Sequence, residues 1–130
     1  MKREGELKSL FGAELKRQLP HALVLYYGTN GAPDREIVCG GKSTRWEFKH
    51  GTPDFLSPGD QELMCQRLAH QHHCMYIIFQ ETAQGTRQRA MIVHPREVAN
   101  RNGWLMVPEA FCIGYDMRWL VNQVKKAHNL

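Results

Sequence analysis

The stretch Arg45-Trp46-Glu47-Phe48-Lys49 alternates strictly between charged and apolar side chains. At a two-residue period, Trp46 and Phe48 share one face of a strand, and Arg45, Glu47 and Lys49 share the other. The segment therefore reads as a half-buried strand with a charged face. Gly40-Gly41 before it makes a turn, and Ile37-Val38-Cys39 makes a short strand leading into that turn. Further upstream, Ala22 to Tyr27 is a continuous β-prone run, separated from the next strand by Gly28-Thr29-Asn30-Gly31-Ala32-Pro33. Leu7, Leu10, Phe11, Leu15 and Leu19 recur at helical spacing, so a first amphipathic helix is predicted over 5–19, ended by Pro20.

Downstream of Lys49 the pattern changes. His50 to Ser57 reads as a loop. Ser57 or Asp60 then caps a helix running to about His72, with Leu63, Met64, Arg67 and Leu68 setting its face. Met75 to Phe79 is a fourth strand, Gln80 to Gln88 a polar hairpin loop, and Arg89 to Val93 a fifth strand. Trp104 to Ile113 is apolar and Gly-flanked, and either covers the sheet or forms a dimer contact. A last helix spans about Asp116 to Ala127, with Met117, Leu120, Val121 and Val124 facing inward. The order is α-β-β-β-α-β-β-α. A helix between the third and fourth strands permits a crossover, which predicts an α/β fold with a mixed sheet and helices on its faces.

A chain of 130 residues with 42% hydrophobic and 23% charged positions suits a single domain over 1–130. Its longest apolar runs, such as Ala22 to Tyr27 and Met75 to Phe79, fall far short of the roughly 20 residues a membrane span needs. Met1 to Glu6 has no apolar segment behind it, so the expectation is a cytoplasmic protein with no signal peptide and no membrane partner. The formal charge of +4, with seven His in addition, favours a polyanionic partner. The four Cys include no CxxC pair, and in this setting they read as reduced thiols. His70, His72, His73 and Cys74 cluster just before a strand, with Cys65 earlier. That group reads as a polar helix end or, alternatively, as a zinc site.

The chemistry lies in Asp34, Glu47 and Lys49. Asp34 begins a strand after a Gly-rich turn, and Glu47 and Lys49 share a face of the next strand. A hairpin between those strands brings Asp34 beside Glu47. Two carboxylates on one side of a sheet repel unless a cation sits between them. Oxygen-only ligands suit a hard ion, Mg²⁺ or Mn²⁺. The backbone carbonyl of Phe48 is a further candidate ligand. Lys49 is placed to orient or activate a water and to stabilise developing negative charge. Lys42, Arg45 and His50 gather near this site as candidate phosphate contacts, and Arg87 and Arg89 fall in a later hairpin. Tyr26, Tyr27 and Trp46 are aromatic enough to stack on bases or to serve as core.

With Gly31-Ala32-Pro33-Asp34-Arg35, Trp46-Glu47-Phe48-Lys49, and Leu56-Ser57 followed by Gln61, the chain resembles the PD-(D/E)xK nuclease superfamily. Within it, residues 4–80 resemble the small stand-alone VRR-NUC-type nucleases found in phages. The resemblance implies a restriction-endonuclease-like core and a metal-dependent DNA endonuclease. It places Asp34 and Glu47 on the metal, Lys49 at the water, and Gln61 as the extra Gln that orients Lys49 or a phosphate. Arg35, beside the Pro-Asp motif, joins the nucleic-acid-binding set. The family's first-helix acid falls on Glu4, Glu6 or Glu14. Glu6 matches the spacing to Asp34 best and is expected to assist at the metal. The implied substrate is structured DNA such as a Holliday junction, and symmetric cutting of two strands requires a homodimer. Phe48 stands where the family often has Val, Leu or Ile. The rival readings are a non-catalytic DNA-binding module that keeps the fold, and a zinc-stabilised interaction protein using Cys65, His70 and Cys74.

Overall fold

The computed structural model describes residues 4–27, 35–51, 74–81, 87–95 and 108–130. It is a mixed α/β fold with six strands in one sheet. In chain order the elements are α1 (Glu4–Gln18), β1 (Leu23–Tyr26), β2 (Arg35–Cys39), β3 (Lys42–Gly51), β4 (Cys74–Glu81), β5 (Gln88–Val93), β6 (Ala110–Ile113) and α2 (Met117–Ala127). The helix expected from Ser57 or Asp60 to His72, together with Asp34, Gln61, Cys65 and His70 to His73, lies outside the described residues.

The strands lie in the order β1-β2-β3-β4-β5-β6. All neighbours are antiparallel except β3 and β4, which pair in parallel with Glu47 opposite Tyr76 and Lys49 opposite Ile78. The sheet is thus mixed, as a crossover after the third strand predicts. Gly40 and Gly41 both have positive φ, at 62° and 77°. Two consecutive left-handed residues match the twist of a tight hairpin, which is why this Gly pair joins β2 to β3.

Both helices pack on the face that carries Ile37, Trp46, Phe48, Ile77, Phe79, Ala90 and Ile92. From α1 come Leu7, Phe11 and Leu15, and from α2 Leu120, Val121 and Val124. The Phe11 ring meets Phe48 edge-on at 5.1 Å, and Phe48 stacks on Phe79 at 6.3 Å. Leu10, counted in the α1 stripe from the sequence, is 42% exposed. It lies about 100° around the helix from the middle of the Leu7–Phe11–Leu15 row, so it points past the sheet. At α2, the Asp116 side chain caps the helix by accepting from the Trp119 N–H at 3.0 Å.

Three other details differ from the sequence expectation. Gln80, Glu81 and Gln88 belong to the ladder, with Gln80 opposite Arg89 and Glu81 opposite Gln88. Polar residues extend a strand here because both ends of the hairpin continue to pair. Residues Ala110–Ile113 form a sixth strand on β5, exposing Phe111 and Ile113 at the sheet edge. The charged face of β3 is also less open than alternation suggests, since Glu47 is only 7% exposed. The same face is closed further along the sheet, where Tyr76, Ile78, Met91 and Val93 are fully buried. Among the described residues, no helix is long and apolar enough to cross a membrane.

Candidate active site

The pleat of β3 decides which side chains meet. Thr44, Trp46 and Phe48 turn toward the helices and are buried there. Arg45, Glu47 and Lys49 turn to the other face, joined by Glu36 of β2. The Lys49 ammonium stands 3.6 Å from the Glu47 carboxylate (Nζ to Oε2), with the carboxylate almost wholly buried and the ammonium mostly so. A carboxylate at this depth requires a compensating charge, and Lys49 supplies one.

The backbone is distinctive at the same point. The β2–β3 ladder extends to Arg35 opposite Trp46. From Glu47 to Gly51, β3 pairs with β4 and, among the described residues, has no strand on its other side. The Glu47–Lys49 pair follows directly on Arg35 and Trp46, the last described partners of the β2–β3 ladder. Asp34 itself is outside the described residues. Its covalent neighbour Arg35 is the residue that pairs beside Glu47's neighbour Trp46.

The candidate phosphate contacts separate under this geometry. Arg45 shares the Glu47 face. Its guanidinium lies 4.6 Å from the centroid of the Tyr27 ring. Arg35 turns to the helix side, where its guanidinium lies over Phe48 at 4.5 Å and over Tyr26 at 5.1 Å. His50 also turns to the helix side, 3.4 Å from the buried Glu81 carboxylate. Tyr115, the residue before the α2 cap, donates to the other Glu81 oxygen at 3.3 Å. Burial pushes the Tyr115 hydroxyl well up from its ordinary value, and the Glu81 charge adds to this. Lys42 lies at the far end of β3 and on the helix side. There it lines a cavity of about 470 Å³ with Thr44, Trp46, Gln123 and Lys126. Arg89 donates to Gln80 at 2.7 Å.

Glu6 is exposed in the first turns of α1, a helix packed on the opposite sheet face from Glu47. No hydrogen bond or ion pair among the described residues links it to Glu47 or Lys49. Glu4 pairs with Lys8 at 3.7 Å. Glu14 accepts from Arg17 and Gln18, and the Arg17 guanidinium chiefly holds its carboxyl down at about 2. Of the three candidate helix acids, Glu14 is thus the one most committed to its own helix.

A cluster next to the site went unread in the sequence. Glu36 accepts from the Tyr27 hydroxyl at 2.7 Å and from Ser43. These two donors, Ser43 first, hold its carboxyl below the usual carboxylate range, and Arg45 adds to the effect. The signal was present in part, since Glu36 follows Asp34 by two residues in the sequence. The partners were not, because they come from two other elements.

The buried Glu47 carboxylate is an oxygen donor of the kind a hard divalent ion takes. No group of three or more His, Cys, Asp or Glu side chains clusters among the described residues. Asp34, the second carboxylate of the sequence motif, lies outside the described residues. Zinc fits less well. Cys74 is buried, and burial pushes its thiol up, away from the thiolate that zinc binds. No family model and no curated protein matches the chain.

Proposed function

We propose that the protein is a metal-dependent DNA endonuclease of the restriction-endonuclease-like type, similar to the VRR-NUC-type PD-(D/E)xK nucleases. The observation that carries this reading is the Glu47–Lys49 pair, 3.6 Å apart on one face of β3, directly after the last described partners of the β2–β3 ladder. Asp34, the second acid of the motif, is bonded to Arg35, whose strand partner Trp46 precedes Glu47 in the sequence.

In this reading Asp34 and Glu47 would hold Mg²⁺ or Mn²⁺, with the Phe48 carbonyl as a further ligand, while Glu6, exposed on a helix packed against the opposite sheet face, leaves the expected metal set. The ion supplies Lewis-acid polarisation of the scissile phosphate and a more acidic water. Glu47 keeps Lys49 fixed, and Lys49 orients the attacking water and offsets negative charge that grows in the transition state. Gln61 orients Lys49 or a phosphate oxygen. Arg45 supplies a cation on the same face for the DNA backbone, consistent with the basic balance of the chain. The substrate is branched or structured DNA, with Holliday junctions the first choice, cut by a homodimer in the cytoplasm of a host cell. The edge strand β6, with Phe111 and Ile113 exposed, is the surface assigned to self-contact.

The test is a panel of labelled junctions, flaps, single strands and plain duplexes incubated with Mg²⁺, Mn²⁺ or excess chelator. Metal-dependent cutting that disappears in Glu47→Gln supports the reading. Absence of cutting on every DNA with either metal overturns it.

A further inference from the structure

The face that carries Glu47 and Lys49 is open on one side and shut on the other. Toward β4 and β5 it is floored by Tyr76, Ile78, Met91 and Val93, none of which has any exposed surface. Toward β1 it is open, with Leu23 and Leu25 both exposed. These two leucines pair with Val38 and Glu36, so by alternation they lie on the Glu47 side of the sheet. Among the described residues, the open approach to the Glu47–Lys49 pair across the sheet therefore runs over β1 and β2.

Two groups stand on that route. Arg45 is two residues before Glu47 on the same face, about 7 Å away along the strand. Tyr27 is held at both ends. Its hydroxyl donates to Glu36 at 2.7 Å, and its ring face is covered by the Arg45 guanidinium at 4.6 Å. Glu36 is itself fixed by Ser43. The side chain is partly exposed and is tied at its hydroxyl and at one ring face, which places an aromatic group beside a cation. The other two aromatics flagged in the sequence are placed differently. Trp46 is core, and Tyr26 lies on the helix side under Arg35.

We propose that the β1–β2 side of this face is a track for a single strand of DNA, in which Tyr27 stacks an unpaired base and Arg45 contacts the adjoining phosphate. The proposal rests on the nuclease reading for the use of the track and narrows its substrate class, among branched DNAs, to those with an unpaired segment next to the cut rather than a fully paired junction. A π-face reads no sequence, so the track is tolerant of base identity. A blunt duplex keeps its bases stacked inside the helix and offers nothing to Tyr27. The rigidity of the pair matters because a pre-fixed ring loses little side-chain freedom when a base docks.

The test measures binding in Ca²⁺, with 2-aminopurine placed singly along the unpaired arm of a flapped DNA. One position should be quenched on binding. Tyr27→Ala should abolish that quench and weaken flap binding about tenfold, the low end for one stacked base. Blunt-duplex binding should change less than twofold. Tyr27→Phe keeps the ring and should retain the quench, which also guards against a general folding loss in the alanine variant. Tyr26→Ala, on the other face, should leave the quench intact. The proposal is overturned if Tyr27→Ala keeps the quench, if it weakens duplex and flap equally, or if Tyr26→Ala produces the loss instead. Cleavage is scored separately in Mg²⁺. Quench without cutting by the wild type refutes the nuclease and leaves the track. Cutting without quench refutes the track and leaves the nuclease.

Discussion

Replacing Lys49 by alanine removes an ammonium 3.6 Å from the Glu47 carboxylate while leaving the Trp46–Phe48 core face of β3 untouched. Two unit charges at that separation interact by about 4–5 kcal/mol at an effective dielectric near 20. A hundredfold loss of rate corresponds to about 2.7 kcal/mol of transition-state stabilisation. If the charge growing on the phosphate lies about as far from Lys49 as Glu47 does, roughly 60% of that interaction accounts for a hundredfold effect. We therefore expect Lys49→Ala to lower single-turnover cleavage at saturating protein by at least about a hundredfold. Binding measured in Ca²⁺ should weaken only modestly, since one phosphate contact among several is lost. Lys42→Ala is the matched control. Lys42 stands at the opposite end of β3, roughly 23 Å away at about 3.3 Å per residue, and on the helix side. It should change neither rate nor binding appreciably, whereas Arg45→Ala should weaken binding and lower its salt dependence by about one ion. Near-normal cutting by Lys49→Ala once the DNA is bound would refute the reasoning and reduce Glu47-Phe48-Lys49 to a charged strand.

Glu47→Gln and Asp34→Asn should each abolish cleavage in a gel assay while binding in Ca²⁺ is kept or improved, because a negative charge beside phosphate is removed. Cutting should require Mg²⁺ or Mn²⁺, and robust product in excess chelator would contradict the oxygen-ligand site. His128→Ala should lower urea-unfolding stability by about 1–3 kcal/mol without slowing single-turnover chemistry, since the buried His128 ring bridges Thr44 at 2.8 Å and the Cys39 carbonyl at 2.9 Å. Tyr115 titrates above an ordinary tyrosine, so its contribution to stability is fully present below about pH 10 and is lost as pH rises toward its raised value. Unfolding midpoints of wild type should therefore fall more steeply from pH 9 to 11.5 than those of Tyr115→Phe, and parallel curves would refute that assignment.

The sequence was most legible where one face of an element is apolar and the other is not. Alternation at Trp46 and Phe48, and helical spacing at Leu7, Phe11 and Leu15, identified side chains that the structure buries together. The Gly40-Gly41 turn was legible because only a residue without Cβ accepts two consecutive positive φ angles cheaply. Leu10 is exposed because it lies off the middle of its own stripe, whereas the polar ends of β4 and β5 pair for a reason local sequence does not carry. Their environment is set by neighbours distant in sequence, and neither periodicity nor polarity encodes those neighbours.

The site was legible along a strand and illegible across strands. Glu47 and Lys49 share a face by a two-residue count, and the structure places them in contact. Proximity in sequence misled for Arg35, Lys42 and His50, because each is an odd number of residues from Glu47 or Lys49, or is carried on the other side of its own strand, and so faces the helices. Parity alone would have separated Lys42 and His50 from Arg45. Arg35 needed the β2–β3 register, because Trp46 is its partner and strand partners share a face. The same register puts Glu36 opposite Arg45 and so assembles Tyr27, Glu36 and Arg45 from three separate segments. Cross-strand register therefore decides which cations and aromatics attend the acid–lysine pair. This is why the motif was readable from one segment, while the surface leading to it required the fold.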